Sequence, residues 1–179
     1  MNSGTIKQSE LKTYAIWQPI PEAAENIKQA RLRKRKTVFL SHSQMDRDLA
    51  KGLQNRLRNQ DVDLYIDWED TSMPETPNRE TAAIIQERIH TCDILLFLAT
   101  QNSLQSRWCS WELGYADGKK SHDSIVVVPT LDDEGHYYGN EYIQLYNRLI
   151  LTSELEKYGV FAPAAERGAL FESFARRIR

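Results

Sequence analysis

Two short runs of purely apolar residues constrain the fold of this chain more than any other feature. They are Ile94–Ala99 and Ile125–Val128. Strands of a parallel sheet that are buried on both faces have this composition, whereas an edge strand alternates between apolar and polar side chains. Thr37–Leu40 is a third apolar segment, and Val62–Asp67 alternates. Because stretches with helical periodicity separate these segments, the pattern predicts an α/β fold with a mostly parallel sheet between two layers of helices.

The same segments predict the order of the strands within the sheet. The alternating strand belongs at the edge, and Arg148–Thr152 is a weak fifth strand. We therefore predict a flavodoxin-like three-layer sandwich with five parallel strands in the order 2-1-3-4-5. Ligands of such sheets bind beyond the carboxyl ends of the strands where the order reverses, here between the first and third strands. The predicted helices are Asp46–Asn59, Asn78–His90, Ser106–Asp117, Glu141–Asn147 and Glu166–Ile178.

Residues 1–36 are predicted to form an N-terminal helical extension ahead of a domain that spans residues 37–179. Pro21 can occupy the first turn of a helix from Glu22 to about Lys36. The helix ends in the basic run Arg31–Lys36. That run either contacts a phosphate or a partner, or forms a solvated face beside the first strand.

Composition excludes several classes of protein. The formal net charge is −2 over 179 residues, so no global electrostatic argument favours nucleic acid or an anionic membrane as partner. No apolar run approaches the roughly 20 residues that span a bilayer. The polar N-terminus lacks the apolar core of a signal peptide, so we expect a cytoplasmic protein. Cys92 and Cys109 lack metal-ligand spacing; we expect both to be reduced and partly buried, and we expect no metal site.

The segment Ser106–Lys120 carries the clearest chemical signal. It places Trp108 and Glu112 four residues apart, and hence on one face of the predicted helix. An aromatic ring can stack on a flat cation, and a carboxylate one turn away can stabilise positive charge that develops beside it. This pair predicts an enzyme that acts on a sugar bonded to a charged base. The alternatives are that Glu112 faces solvent and that Trp108 and Trp111 belong to the core.

Further polar residues follow the strands at the predicted ligand site. They are Ser41, His42 and Ser43 after the first strand, Thr100–Ser103 after the third, and Asp67 and Trp68 after the second. His42 is either a base or a hydrogen-bonding loop residue. Asp67 either contacts a ligand or ends the edge strand. Trp68 either packs beneath the following loop or meets another subunit.

Three segments together resemble a Toll/interleukin-1 receptor (TIR) domain. They are VFLSHSQMD, WCSWELG and the proline-containing loop after DLYIDWED, and the likeness extends from about Lys36 to the end of the chain. The resemblance implies a flavodoxin-like fold. It also implies that Glu112 matches the catalytic glutamate of the members that cleave NAD, and that Trp108 matches the tryptophan one turn earlier. By the same resemblance, Ser41–Asp46 matches the loop after the first strand and Trp68–Pro77 matches the mobile BB loop.

Many bacterial and plant TIR domains cleave the nicotinamide–ribose bond of NAD, and some make cyclic ADP-ribose isomers. The resemblance therefore implies that NAD is a substrate and that no cofactor is needed. It also implies self-association through TIR–TIR contacts and a role in anti-phage defence of the Thoeris kind, in which the product activates a separate effector protein.

In this hypothesis the pyridinium ring stacks on Trp108 and Glu112 stabilises the ribose cation that forms when nicotinamide leaves. Water then attacks to give ADP-ribose, or the adenine end of the molecule attacks to give a cyclic product. The pyrophosphate lies near the start of the helix that Asp46 caps, and the hydroxyls of Ser41 and Ser43 donate to it.

Two other functions stay open at this point. Animal adaptor TIR domains are scaffolds, and many of them lack the glutamate, so Glu112 favours the enzyme. The segment ELGYADGKK is also similar to nucleoside deoxyribosyltransferases, which use a glutamate nucleophile on a related sheet. A scaffold would not turn over NAD, and a transferase would exchange bases on nucleosides.

Overall fold

This computed structural model describes residues 4–16, 35–58, 62–70, 72–74, 76, 78–152 and 157–178. The described strands are β1 Ile6–Lys7, β2 Lys36–Ser41, β3 Val62–Tyr65, β4 Ile94–Ala99, β5 Ile125–Leu131, β6 Tyr137–Tyr138, β7 Asn147–Leu151, β8 Tyr158–Phe161 and β9 Ala169–Leu170. The described helices are α1 Gln8–Ala15, α2 Arg47–Leu57, α3 Arg79–Thr91, α4 Gln101–Gln105, α5 Arg107–Asp117 and α6 Phe171–Arg177. Short 3₁₀ turns lie at Gln44–Asp46, Asp67–Glu69, His122–Ser124 and Glu141–Leu145.

The main sheet has the order β3-β2-β4-β5-β7-β8-β9. The first five of these strands pair in parallel, which confirms the predicted order 2-1-3-4-5. All six residues of β4 are buried, as expected for a strand between two neighbours and two layers of helices. β8 and β9 extend the sheet with antiparallel pairing. The predicted long last helix, Glu166–Ile178, is therefore wrong at its start, where residues 169–170 form β9.

Two apolar layers cover the two faces of the sheet, as the continuous apolar strands predicted. Along β4, Leu96 and Leu98 face the layer that contains α1, α2 and α6. Leu95 and Phe97 face the layer that contains α3 and α5. The side chains alternate because successive residues of a strand point to opposite faces. The chain therefore has the three-layer architecture that was predicted.

The N-terminal residues 4–16 pack onto the domain. Ile6 of β1 pairs with Thr130 at the end of β5, and α1 lies against α2. Leu11 is fully buried, and a Cβ on Gly52 of α2 would lie only 1.9 Å from the Leu11 carbonyl oxygen. Gln8 Nε2 also donates to Thr130 Oγ1 at 3.0 Å. Residues 4–16 precede the predicted domain boundary at residue 36, and they contribute to the core. The boundary itself stays a prediction.

The predicted helix Glu22–Lys36 lies outside the described residues except at its end. There Lys36 begins β2, and its Nζ lies 2.9 Å from Asp93 Oδ1, so the predicted helix end is wrong. Cys92 and Cys109 are free, as predicted, and both are almost fully buried rather than partly buried. Burial raises the pKa of each thiol to about 12. None of the described helices is both long and apolar enough to cross a membrane.

Candidate active site

The candidate site lies between the carboxyl ends of β2 and β4, where the order of the parallel strands reverses. Asp46 joins the loops after these strands, because its carboxylate accepts hydrogen bonds from Thr100 Oγ1 at 2.5 Å and Asn102 Nδ2 at 2.7 Å. The prediction that Asp46 caps α2 is wrong, since its side chain makes no capping bond to that helix. The buried carboxylate instead holds the two loops together.

Glu112 lies on the inward face of α5. Its buried neighbours on the helix are Cys109, Leu113 and Ala116, which follow the spacing of one helical face. Only 4% of Glu112 is exposed, so the alternative that it faces solvent is wrong. Ser41, the last residue of β2, donates a hydrogen bond from Oγ to Glu112 Oε2 at 2.6 Å. This hydrogen bond therefore connects the sheet to α5 inside an apolar layer.

The environment of Glu112 favours the neutral carboxyl group. Burial raises the pKa of Glu112 to about 8, because a charged carboxylate loses the stabilisation that water gives it. The hydrogen bond from Ser41 opposes this rise, and the negative charge of Asp67 adds to it. A carboxyl group with a strongly shifted pKa at the reversal point of an α/β sheet is a candidate for catalysis.

The two serines after β2 have different roles in the structure. Ser41 is fully buried and its hydroxyl proton is directed at Glu112, so it does not donate to a phosphate in this arrangement. Ser43 begins the 3₁₀ turn at 44–46, where its Oγ accepts a hydrogen bond from Met45 N at 3.3 Å. The Ser43 hydroxyl can still donate its own proton. Of the two, only Ser43 keeps the predicted role of phosphate donor.

His42 is held by both of its ring nitrogens. Nδ1 lies 3.1 Å from the Leu40 carbonyl oxygen, to which it can only donate. Trp68 Nε1 donates to His42 Nε2 at 2.8 Å. The imidazole therefore carries its proton on Nδ1 and uses its Nε2 lone pair for Trp68. This geometry favours the hydrogen-bonding interpretation of His42 over the base.

Trp68 is fixed from two sides. Besides its bond to His42, its ring lies below the Arg47 guanidinium and the Lys51 ammonium, each 5.4 Å from the ring centroid. The ring is partly buried against the apolar layer that contains α2. Trp68 thus connects the end of β3 to α2. The ring therefore packs on α2 of this chain and not beneath the loop that follows it, and a contact with another subunit stays a prediction.

Asp67 carries a buried oxygen atom without a partner. Asp67 Oδ1 accepts no hydrogen bond from any described residue. It lies 3.9 Å from His42 Nε2, but that nitrogen is already an acceptor and has no proton to donate. An unsatisfied buried acceptor is costly, and sites that bind hydroxyl groups tolerate that cost until the ligand arrives. Asp67 Oδ1 is therefore a candidate acceptor for a ligand hydroxyl group, and the charge of this carboxylate acts on Glu112.

Trp108 lies one helical turn before Glu112 and is 39% exposed. Its ring meets the edge of Trp111 at a centroid distance of 5.4 Å, and Trp111 stacks on Tyr115 at 6.0 Å. Trp111 packs against the apolar layer that contains α5, as one of the alternatives predicted. Trp108 keeps an exposed surface on which a flat cation can stack.

Sequence reasoning missed the residues that hold the loop after β3. Asp70 is buried and accepts hydrogen bonds from Tyr65 Oη at 2.7 Å, Ser72 N at 3.0 Å and Arg88 Nε at 3.2 Å. These bonds and the charge of Arg88 hold the pKa of Asp70 below its usual value, although burial alone would raise it. The Asp-x-Ser pattern is typical of such a turn and could have indicated it. The predicted BB loop, Trp68–Pro77, is thereby anchored at its first half to α3.

A metal ion has one conceivable set of ligands among the described residues. Asp132, Glu134 and His136 have ligand atoms within 4.8 Å of one another in an exposed turn. The Asp132 carboxylate already accepts hydrogen bonds from His136 N at 2.7 Å and Tyr138 Oη at 2.8 Å. Its acceptor capacity therefore serves to fold the turn, and we assign no metal to it.

The sequence also matches known proteins. A relative from Bacillus cereus (strain MSX-D12), named "Probable 3' cyclic ADP-D-ribose synthase ThsB'", is 39% identical over 111 residues, which cover 61% of this chain and 58% of the relative. A relative from Cytobacillus dafuensis, named "Putative cyclic ADP-D-ribose synthase TIR2", is 30% identical over 82 residues, which cover 44% of this chain and 22% of the relative. The matched part is thus little more than half of the first relative and about a fifth of the second.

The family assignment rests on a longer match. The profile of the TIR domain matches residues 38–157. These residues include the loops after β2, β3 and β4 and the whole of α5. The match covers most of the chain, and the observed strand order is the one that the TIR resemblance implied. This protein belongs to the TIR-domain family.

Proposed function

We propose that this protein cleaves the nicotinamide–ribose bond of NAD and closes the remaining ADP-ribose into a cyclic product. The buried Glu112 carboxyl group, which accepts a hydrogen bond from Ser41 and is influenced by the charge of Asp67, is the observation that carries the proposal. The names of both relatives, which describe cyclic ADP-D-ribose synthases, support it further.

The first step breaks one bond. The electron pair of the glycosidic C–N bond leaves with nicotinamide, which departs as a neutral molecule and needs no proton. The ribose carbon becomes positively charged, and the ionised Glu112 carboxylate stabilises that charge as carboxylates do in glycoside hydrolysis. A nucleophilic group at the adenosine end of the same molecule then bonds to this carbon. The reaction as a whole yields nicotinamide, the cyclic product and one proton.

Substrate binding can bring Glu112 into its active, ionised form. The pyridinium ring of NAD is positively charged, and a positive charge close to a carboxyl group lowers its pKa. Trp108 would hold this ring by a cation–π contact that contributes about 1–2 kcal/mol. A ribose hydroxyl would donate to Asp67 Oδ1 and satisfy that acceptor. Each group thus gains a partner when the substrate is bound.

The negatively charged part of NAD needs a separate contact. The Ser43 hydroxyl and the free N–H groups at the start of α2 lie after β2, and a helix N-terminus of this kind favours phosphate groups. Asp46 is engaged with the loop after β4, so its charge is partly neutralised by two hydrogen bonds and opposes the phosphate less than a free carboxylate would.

The test is to incubate the pure protein with NAD at high protein concentration and to separate the products by liquid chromatography with mass detection. Glu112→Gln is compared with Glu87→Gln, which changes an exposed glutamate of α3. We expect nicotinamide and a cyclic product from the wild type and from Glu87→Gln, and a loss of about 10³-fold or more in Glu112→Gln. Release of ADP-ribose alone would make the protein a hydrolase. No nicotinamide at any protein concentration would favour the TIR scaffold instead.

We further propose that the cyclic product is a diffusible signal for a separate effector protein in anti-phage defence. This proposal follows from the TIR resemblance and from the synthase names of the relatives. Cells that carry the protein with its neighbouring genes should resist phage infection, and Glu112→Gln should abolish that resistance. Equal plating of phage on both strains would contradict the defence role without affecting the assignment of the reaction.

A further inference from the structure

A cavity lies beyond β4 as seen from Ser41. It has a volume of about 440 Å³ and is lined by residues of β5 and β7, of the segment 137–146 and of the turn at 163–164. None of its lining residues belongs to the candidate active site. The volume lies within the range of small-molecule binding sites.

Among the described residues that line this cavity, only Arg148 is charged. It lies within the sheet, where its backbone pairs with Val127 on one side and Phe161 on the other. Its guanidinium donates from Nη2 to the Ala165 carbonyl oxygen at 2.7 Å and lies 5.9 Å from the centroid of the Phe161 ring.

The charge of Arg148 lacks a counter-ion. No carboxylate of the described residues lies within ion-pair distance of it, and a guanidinium has five N–H donors, of which one is used here. Burying part of a cation without a counter-ion is unfavourable, and an anion that binds beside it reduces this penalty. The remaining donors are therefore available to an anion in the cavity.

The walls of the cavity are held in unusual conformations. Glu141 and Ala164 have φ values of 61° and 57°, which residues other than glycine rarely adopt. Ala164 lines the cavity, and Glu141 begins the short turn that contributes Ile143. A Cβ on Gly139 would lie 2.3 Å from Tyr137 Oη, so a larger residue at this position would displace that ring. Backbone strain of this kind concentrates at ligand sites.

We propose that this cavity binds a small organic anion with a flat apolar body. The acidic group of the ligand bonds to the guanidinium of Arg148, in the forked geometry that carboxylates and phosphates share. The apolar body lies between the rings of Tyr137 and Tyr146 and against Ile143. None of the described lining residues is acidic, so no carboxylate among them repels a negatively charged ligand. This site is independent of the proposed NAD reaction.

The probe is 2-naphthoate, added to the full ¹⁵N-labelled chain while backbone amide signals are followed by NMR. We expect saturable shifts at Gly139 and Ala164. The neutral analogue 2-naphthalenemethanol has the same rings without the charge and should bind about tenfold more weakly. Arg148→Met should weaken 2-naphthoate binding by a similar factor, whereas Arg79→Met, which removes an exposed arginine of α3, should leave it unchanged.

The comparison of the two probes uses only the wild-type chain, so it decides the question even if Arg148→Met does not fold. Three results would overturn the proposal. They are an absence of saturable shifts at Gly139 and Ala164 with millimolar 2-naphthoate, equal affinity for the neutral analogue, and shifts confined to the amides around Glu112. Arg148→Lys keeps a positive charge and should retain part of the affinity.

Discussion

At the scale of single residues, the buried carboxyl group of Glu112, which we propose for the reaction, also lowers the stability of the folded protein at high pH. Its pKa is about 8 in the folded protein and about 4.5 in a free side chain. Between these values the folded protein holds a proton that the unfolded chain has released. The free energy of unfolding therefore falls as the pH rises through this interval, and the loss is complete above about pH 8.

The first prediction concerns that loss. Glu112→Gln removes the titrating group but keeps its size, so it should stabilise the protein relative to the wild type by roughly 1–4 kcal/mol at about pH 8.5 and much less at about pH 5. Thermal unfolding at the two pH values measures the difference. Glu87→Gln is the control. A stability difference that does not change with pH would show that Glu112 is not held in its neutral form.

The second prediction concerns Ser41. Its hydroxyl lowers the pKa of Glu112 by donating to the ionised carboxylate. Ser41→Ala should therefore move the rising limb of the profile of kcat/KM against pH to higher pH, because Glu112 must be ionised in the reaction. Nicotinamide release between about pH 5 and 9 measures it. The control Ser110→Ala removes an exposed hydroxyl of α5 and should not move the rising limb. An equal shift in both variants would contradict the role of the hydrogen bond from Ser41 to Glu112.

The third prediction has the opposite sign. The charge of Asp67 raises the pKa of Glu112, so Asp67→Asn should move the same rising limb to lower pH. The substitution also replaces part of the acceptor that we assign to a ribose hydroxyl, so KM for NAD should rise about tenfold. Steady-state kinetics across the pH range separates the two effects. An unchanged KM would show that Asp67 does not contact the substrate and acts on Glu112 only through its charge.

At the scale of secondary structure, two helical glycines have opposite environments. A Cβ on Gly52 of α2 would lie 1.9 Å from the Leu11 carbonyl oxygen, whereas a Cβ on Gly114 of α5 meets nothing within 4 Å. Gly52 therefore allows α1 and α2 to approach closely, and Gly114 only lowers the helix propensity of α5.

This contrast gives the fourth prediction. Gly52→Ala should destabilise the protein by several kcal/mol, because α1 must move away from α2. Gly114→Ala should stabilise it by about 0.5–1 kcal/mol. Urea unfolding of both variants measures the two free energies. If Gly52→Ala were as stable as the wild type, the packing of α1 would not contribute to the fold in the way described.

The elements that could be predicted are those with a strong periodic signal. Ile94–Ala99 indicated a strand because no polar residue interrupts it. The predicted helix Ser106–Asp117 agrees with α5 to within one residue, and the structure shows Ser106 as its N-cap. β9 has two residues and β1 has two, so neither is long enough to show a period. Their existence depends on backbone pairing with distant strands, which no local pattern encodes.

At the scale of the whole molecule, the site is built from three separate connections between strands and helices. Ser41, Asp67 and Glu112 are far apart in sequence, and the rule that ligands bind at the carboxyl ends of parallel strands was enough to bring them together. Which of them bond to each other could not be predicted. Ser41 donates to Glu112 at 2.6 Å, and Trp68 donates to His42 at 2.8 Å. Only the packed structure determines these distances.

The pairing of β1 with β5 has a consequence for how the chain reaches this structure. Ile6 and Thr130 are neighbours in the sheet although more than a hundred residues separate them, and Gly4 O accepts a further bond from Leu151 N at 2.8 Å. Closing so long a loop is entropically unfavourable before the intervening strands have formed. During synthesis on the ribosome, the segment of residues 4–16 therefore has to wait for the fourth and fifth strands of the parallel sheet. Its Leu11 side chain is exposed to other chains until they arrive.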